Sequence, residues 1–120
     1  MARSQRDKGA RGEREAAAAI GINWFAADCR RAAANGVHEA PDIQHALPSA
    51  SIEVKRRARL AVYQFVDQAK AQAMAGEIPV VVMRQDRGEW LVLLRLTDSL
   101  GFAQRLATNM GQAIGPIGWS

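Results

Sequence analysis

Residues 78–84, IPVVVMR, constrain the fold of this chain more than any other stretch, because they are apolar at consecutive positions. Side chains alternate between the two faces of a strand, so a strand of this composition must be covered on both sides. The turn residues QDRG follow, and a second apolar run, EWLVLLRL, comes directly after them. We therefore predict a central strand and a neighbouring strand in a sheet with helices packed on its faces.

Three segments with helical spacing would supply that cover. Residues 10–20, ARGEREAAAAI, are rich in helix formers, and Glu13 falls on the same face as the inward-facing alanines of the segment. Further helices are expected at residues 60–74 and 97–108, the last of them capped by Thr97. Apolar residues at one-turn intervals form the predicted inward face of the helix at 60–74: Val62, Phe65, Val66, Ala69 and Ala73.

Three short strands are expected between the first and second helices, at residues 24–30, 42–44 and 51–55. With the two later strands they give the order α-β-β-β-α-β-β-α. Helices alternate with strands in this order, and the hairpin of short strands precedes a helix that returns the chain to the sheet. The predicted fold class is therefore α/β, with a mixed sheet flanked by helices.

Length, charge and cysteine content narrow the classes of function. The 120 residues carry a net charge of +4, from 16 Lys and Arg against 12 Asp and Glu, which suits a polyanionic partner. Cys29 is the only cysteine, so a disulfide framework within one chain is excluded and a reducing, cytoplasmic location is expected. No membrane association is expected, since no stretch is long and apolar enough to cross one. We expect one domain at residues 9–110, a flexible basic arm at 1–8 and an irregular tail at 111–120.

Two of the short strands carry the residues that indicate chemistry. In a hairpin symmetric about residues 47–48, Ile43 lies opposite Ile52, and the same register places Asp42 opposite Glu53. Directly opposed residues have Cβ atoms roughly 5 Å apart. Two carboxylates at that separation repel each other unless a cation lies between them, so the pair predicts a metal site.

The cation that such a pair favours is Mg²⁺ or Mn²⁺, because carboxylate oxygens are hard ligands. Lys55 lies next along the strand face that carries Glu53, within reach of a phosphate or water bound to the same ion. A metal ion would acidify a bound water and neutralise charge on a phosphate, and a lysine would stabilise the transition state. The residue types therefore predict hydrolysis of a phosphodiester.

Pro-Asp at 41–42, ten intervening residues and Glu-Val-Lys at 53–55 resemble the PD-(D/E)XK nuclease signature. The segment DKGARGERE, before an Ala-rich helix, resembles the opening helix of archaeal and phage Holliday-junction resolvases. IPVVVMRQDRGEWLVLLRL resembles the two core strands that follow their second helix. The resemblance covers residues 8–96 and implies a restriction-endonuclease-like fold, a branched DNA substrate such as a four-way junction, and a homodimer. The compact size fits a phage or prophage protein.

The resemblance also implies roles for individual residues. Asp42, Glu53 and the carbonyl oxygen of Val54 would be metal ligands, and Lys55 would be the catalytic lysine. Glu13 would be the helix carboxylate that completes the metal site, through the ion or its water. A glutamine is often found on the helix after the E-x-K strand, and that catalytic position corresponds to Gln68. Basic side chains on either side of the acidic group are predicted to bind the DNA backbone: Lys8, Arg11, Arg56, Arg57 and Arg59.

Several alternatives stay open. The substrate could be a flap, a nick or a DNA end, since residues 31–40 do not match the loop in which archaeal resolvases place a catalytic serine. A non-catalytic structure-selective DNA-binding protein could use the same scaffold, and a splicing-type RNA nuclease would not need the carboxylates. Glu53 and Lys55 could form an ordinary surface ion pair, and Glu13 could be an exposed residue of the first helical turn.

Overall fold

The computed structural model describes the backbone of residues 2–32 and 42–114 and the side chains of residues 9–32 and 42–111. The order of elements matches the predicted α-β-β-β-α-β-β-α. The elements are α1 (Ala2–Asn23), β1 (Arg30–Arg31), β2 (Ile43–Gln44), β3 (Ala50–Arg57), α2 (Val62–Gln72), β4 (Ile78–Gln85), β5 (Leu91–Leu93) and α3 (Ser99–Ile114), with a 3₁₀ turn, Leu96–Asp98, directly before α3. None of the helices described is both long enough and apolar enough to cross a bilayer.

The described strands form one mixed sheet in the order β1-β2-β3-β4-β5. β1, β2 and β3 are antiparallel neighbours, and β5 is antiparallel to β4. β3 and β4 are parallel along their whole length, and α2 provides the crossover that a parallel pair requires. The predicted restriction-endonuclease-like mixed sheet flanked by helices is confirmed.

Two apolar layers cover the central strands, which explains why β4 is apolar at consecutive positions. Val80 and Val82 belong to the layer that contains the buried alanines of α1 and is lined by α3. Val81 and Met83 belong to the second layer, in which they pack against Phe65 of α2. β4 is therefore the central strand that the sequence predicted, buried on both faces.

The strand predicted at 24–30 is misplaced: β1 is Arg30–Arg31, and residues 24–26 form a turn. The Trp24 amide donates to the Ile20 carbonyl at 2.8 Å and the Ala26 amide donates to the Gly21 carbonyl at 3.0 Å, so the chain continues the end of α1 as a turn. Trp24 is buried by this turn and makes an edge-to-face contact with Phe102, at 5.4 Å between ring centroids. Burial of an aromatic side chain, rather than strand pairing, accounts for the apolar pattern here.

The first and last helices are longer than predicted. α1 begins at Ala2, so the residues expected to form a flexible arm are helical, and α3 continues to Ile114 into the segment expected to be irregular. Thr97 lies within the 3₁₀ turn rather than at a cap; the Ser99 hydroxyl donates to the Leu96 carbonyl at 2.7 Å. Polar residues also form helix, but they leave no apolar periodicity in the sequence. The prediction therefore covered only those parts of each helix that have an inward apolar face.

Candidate active site

The β2–β3 hairpin brings Asp42 beside Glu53. Ile43 pairs with Ile52, as the sequence predicted, and the Asp42 amide donates to the Ile52 carbonyl at 3.0 Å. One carboxylate oxygen of Asp42, Oδ2, accepts a hydrogen bond from the Val54 amide at 2.8 Å. The Asp42 side chain is therefore fixed against the edge of β3, next to the Glu-Val-Lys triplet.

The same hydrogen bonds orient the Val54 carbonyl. The amide and carbonyl of one strand residue point toward the same neighbouring strand, and successive residues alternate. Because the Val54 amide faces Asp42, the Val54 carbonyl also faces the β2 edge of β3. A carboxylate from Asp42 and a peptide oxygen from Val54 thus lie along one edge.

Glu53 is a buried acid with a carboxyl oxygen that no described residue satisfies. It is 6% exposed, and its Oε1 atom is buried with no hydrogen-bond partner among the described residues. Burial, the charge of Asp42 and a side-chain hydrogen bond with Asp42 together raise the pKa of Glu53 to about 8, against the opposing charge of Lys55. At neutral pH this environment favours the protonated form of Glu53.

Glu13 approaches the pair from α1. Burial raises its pKa, and the charge of Asp42 acts in the same direction, while Arg31 of β1 opposes the shift. The Arg31 Nε atom lies 3.5 Å from Glu13 Oε2. The three acids and the Val54 backbone line one cavity of about 580 Å³. The cavity is bounded by Gly9, Gly12, Glu13, Asp42, Glu53, Val54, Lys55, Arg56, Arg57 and Ala58.

The donor set suits a hard divalent cation at Asp42 and Glu53. Both side chains offer carboxylate oxygens, the Val54 carbonyl faces the same edge, and the unpartnered Glu53 Oε1 is the atom that an ion would satisfy. Across residues 9–32 and 42–111, no three Asp, Glu, His or Cys side chains are grouped closely enough to hold one ion together. Glu13 is instead paired with Arg31. Asp42 and Glu53 therefore fit a metal ion without Glu13, which lies beside them.

Lys55 lines the same cavity as the acids, on the face of β3 that packs toward α2. Its Nζ atom lies 5.6 Å from the ring centroid of Phe65. Its charge lowers the pKa of Glu53, so the ammonium and that carboxyl interact electrostatically. Lys55 is therefore positioned to contact an anion in the cavity.

The other predicted site residues are distributed less closely. Arg57 lines the cavity and is exposed, whereas Arg11 and Arg59 are exposed outside its lining. Gln68 is exposed on α2 and is not among the cavity residues, so the described structure does not bring it to the acids. The side chain of Lys8 lies outside the described residues. The roles assigned to these residues stay predictions.

Arg56 makes contacts that the sequence did not predict. Its guanidinium lies 3.4 Å from Glu15 and 3.8 Å from Asp86, and Arg84 also reaches Glu15, at 3.6 Å. These ion pairs connect α1 to β3 and β4. Arg56 therefore fastens α1 against the sheet beside the cavity, and its predicted contact with DNA stays a prediction.

Arg31 and Phe65 are the functional neighbours that sequence reasoning missed. Arg31 reaches Glu13 only because β1 pairs with β2 next to α1, and nothing in the local sequence marks that contact. Phe65 was predicted to face the core, which is confirmed, but its position under Lys55 depends on how α2 crosses the sheet. The spacing of residues along the sequence predicts neither the Arg31–Glu13 contact nor the Lys55–Phe65 contact.

A larger cavity, of about 760 Å³, lies at the opposite end of β3, by the β2–β3 loop. Its lining includes Asn109, whose side-chain amide donates to the Trp24 and Ala46 carbonyls at 2.9 and 2.7 Å. His45 also lines it, away from the acidic group. The larger cavity is lined by two acids, Asp28 and Glu77, but by neither Asp42 nor the Glu-Val-Lys triplet, so the smaller cavity is the candidate active site.

Comparison with known proteins bears on the class of protein rather than on the choice between the cavities. The sequence model of a family described as "Phage putative PDDEXK endonuclease" matches residues 4–113, which is most of the chain. No curated protein and no solved structure matches significantly. The match spans α1, all five strands, α2 and most of α3, and it includes every residue that lines the candidate active site.

Proposed function

The chain belongs to the phage putative PDDEXK endonuclease family, and from that premise we propose that it hydrolyses DNA phosphodiesters with a divalent cation bound at Asp42 and Glu53. The observation that carries the proposal is the buried Glu53 carboxyl beside Asp42, with an Oε1 atom that has no hydrogen-bond partner among the described residues. Burial and the charge of Asp42 raise the pKa of Glu53 to about 8. A divalent cation would neutralise both carboxylates without a shared proton.

Each side chain would have a separate task. Asp42, Glu53 and the Val54 carbonyl would hold Mg²⁺ or Mn²⁺, and the ion would supply an acidified water and charge neutralisation at the phosphate. Lys55 would donate hydrogen bonds to a phosphate oxygen and stabilise the charge that develops there. Glu13, held by Arg31, would position water at the edge of the site.

The preferred substrate is proposed to be branched DNA, with a four-way junction as the leading candidate. The resemblance to Holliday-junction resolvases supports this choice, and the net charge of +4 supports binding to a polyanion. Two symmetric cuts in a junction need two sites, so we propose that the active form is a homodimer. A phage-encoded protein acting on DNA in the host cytoplasm fits these properties.

A cleavage assay with four labelled substrates tests the proposal. A four-way junction, a linear duplex, a flap and a single strand are incubated with Mg²⁺, with Mn²⁺ and with EDTA. The variants are Asp42→Asn, which keeps an oxygen to accept from the Val54 amide, and Lys55→Ala. Matched controls on the exposed side of α2 are Asp67→Asn and Lys70→Ala.

We expect metal-dependent cleavage that both site variants lose by at least about 100-fold and both control variants retain. Symmetric nicks in the junction alone would support the resolvase, and cleavage of flaps or ends would support the alternative nuclease. Cleavage that survives EDTA and both site substitutions would refute the mechanism. Tight junction binding without cleavage in either metal would instead support a non-catalytic DNA-binding protein.

A further inference from the structure

Lys55 has a flexible side chain that lies over an aromatic ring and has no carboxylate partner among the described residues. Among the residues that the structure describes, it makes no ion pair within 4.0 Å, although it lies two positions from Glu53. Its Nζ atom lies 5.6 Å from the centroid of the Phe65 ring. A cation at that distance from an aromatic face is attracted by the ring quadrupole.

Phe65 itself is fixed by packing. It is 6% exposed and packs with Ala69 of α2 and with Val81 and Met83 of β4. Met83 is the register partner of Lys55 in the parallel β3–β4 pair, so the ring lies over the sheet at the level of the lysine. Because packing fixes the position of the Phe65 ring, the ring determines where the more mobile Lys55 side chain is attracted.

An aromatic face suits the proposed task better than a carboxylate would. A close ion pair would occupy the ammonium hydrogens and neutralise its charge, whereas the ring leaves the hydrogens free to donate to a phosphate. The four-carbon stem of lysine otherwise has many rotamers, and restricting them before substrate binds lowers the entropy lost in the transition state. We propose that Phe65 is a positioning residue that holds the Lys55 ammonium in the active site, an inference that rests on the catalytic role proposed for Lys55.

A purely structural role for Phe65 predicts different results. A large buried side chain supports α2 whatever it contacts, and its loss lowers stability. Substitutions that separate the two roles are Phe65→Tyr, which keeps an aromatic face, and Phe65→Leu, which removes it. Leu93→Ala is the matched control, because Leu93 packs against the same cluster from β5.

The experiment combines NMR of lysine side chains with steady-state cleavage kinetics. The Lys55 ε-methylene signal is identified by its absence from the Lys55→Arg spectrum, and an aromatic ring nearby moves that signal upfield. We expect the upfield position in wild type, Phe65→Tyr and Leu93→Ala, and its loss in Phe65→Leu. We expect kcat to fall about threefold in Phe65→Leu with KM unchanged, the factor that a cation–π contact supplies.

The outcomes separate this inference from the proposed function. A Lys55 signal and a kcat that are unchanged in Phe65→Leu would overturn the positioning role, as would an equal loss of kcat in Leu93→Ala. If Phe65→Leu does not fold, pentafluorophenylalanine at this position tests the same point, because it keeps the ring shape and reverses the quadrupole. Absence of any cleavage by wild type would refute the nuclease, while the NMR comparison would still decide whether Phe65 holds Lys55.

Discussion

Replacing Glu53 with Gln is expected to remove most of the pH dependence of stability in the metal-free protein. The pKa of Glu53 is about 8 in the folded protein against an ordinary value of 4.5. A group with a raised folded pKa stabilises the fold fully below its unfolded pKa, and that contribution is lost as pH rises to the folded pKa. Folding should therefore weaken progressively between about pH 4.5 and pH 8.

The size of the effect follows from the difference between the two pKa values. Each pH unit in that interval is worth about 1.4 kcal/mol, so the loss is on the order of 5 kcal/mol. Glu53 is 6% exposed, so solvent screening does little to reduce this figure. In wild type, Glu53 can donate to Asp42 only while it is protonated. A Gln side chain at position 53 can donate at every pH, so the stability of Glu53→Gln should stay roughly constant across this range.

Urea denaturation in EDTA at several values between pH 5 and pH 9 measures the effect. The free energy of unfolding should fall by a few kcal/mol more in wild type than in Glu53→Gln, and saturating Mg²⁺ should restore wild type alone at high pH. Glu89→Gln, at an exposed position, controls for the loss of a carboxylate and should follow wild type. Parallel curves for wild type and Glu53→Gln would refute the raised pKa of the buried Glu53 carboxyl.

Three further predictions concern other parts of the molecule. Asn109→Ala should lower the free energy of unfolding by roughly 2–3 kcal/mol in urea denaturation, because two buried carbonyls lose their donors. Arg56→Ala should cost about 1 kcal/mol by losing its ion pairs with α1 and the β4–β5 turn, whereas Arg57→Ala should leave stability unchanged and weaken DNA binding in a salt-dependent way. Burial raises the pKa of Cys29 to about 11, so iodoacetamide at pH 8 should alkylate the native thiol roughly 100-fold more slowly than the urea-unfolded one; equal rates would contradict that burial.

The sequence predicted those parts of the fold that depend on periodicity. Alternation along the hairpin gave the pairing of Ile43 with Ile52, and the consecutive apolar residues of β4 gave a strand buried on both faces. The hairpin register also placed Asp42 beside Glu53, because register decides which side chains face each other. The acidic pair was therefore predictable before any coordinates.

Contacts between distant elements were not predictable in the same way. The strand expected around Trp24 is a turn at the end of α1, since a buried aromatic produces the same apolar pattern in either conformation. The ion pairs of Arg56 with Glu15 and of Arg31 with Glu13 depend on where α1 crosses the sheet. The sequence alone does not distinguish a basic residue that binds phosphate from one that forms an ion pair with a neighbouring helix.

The most direct test of the central claim is an anomalous diffraction map of crystals grown with Mn²⁺ near pH 8. The account predicts a single strong peak about 2.1–2.3 Å from carboxylate oxygens of both Asp42 and Glu53, beside the Val54 carbonyl. It also predicts no such peak in Asp42→Asn crystals grown in the same way. A fully occupied Mn²⁺ elsewhere, with Glu53 still hydrogen-bonded to Asp42 through a proton, would contradict it.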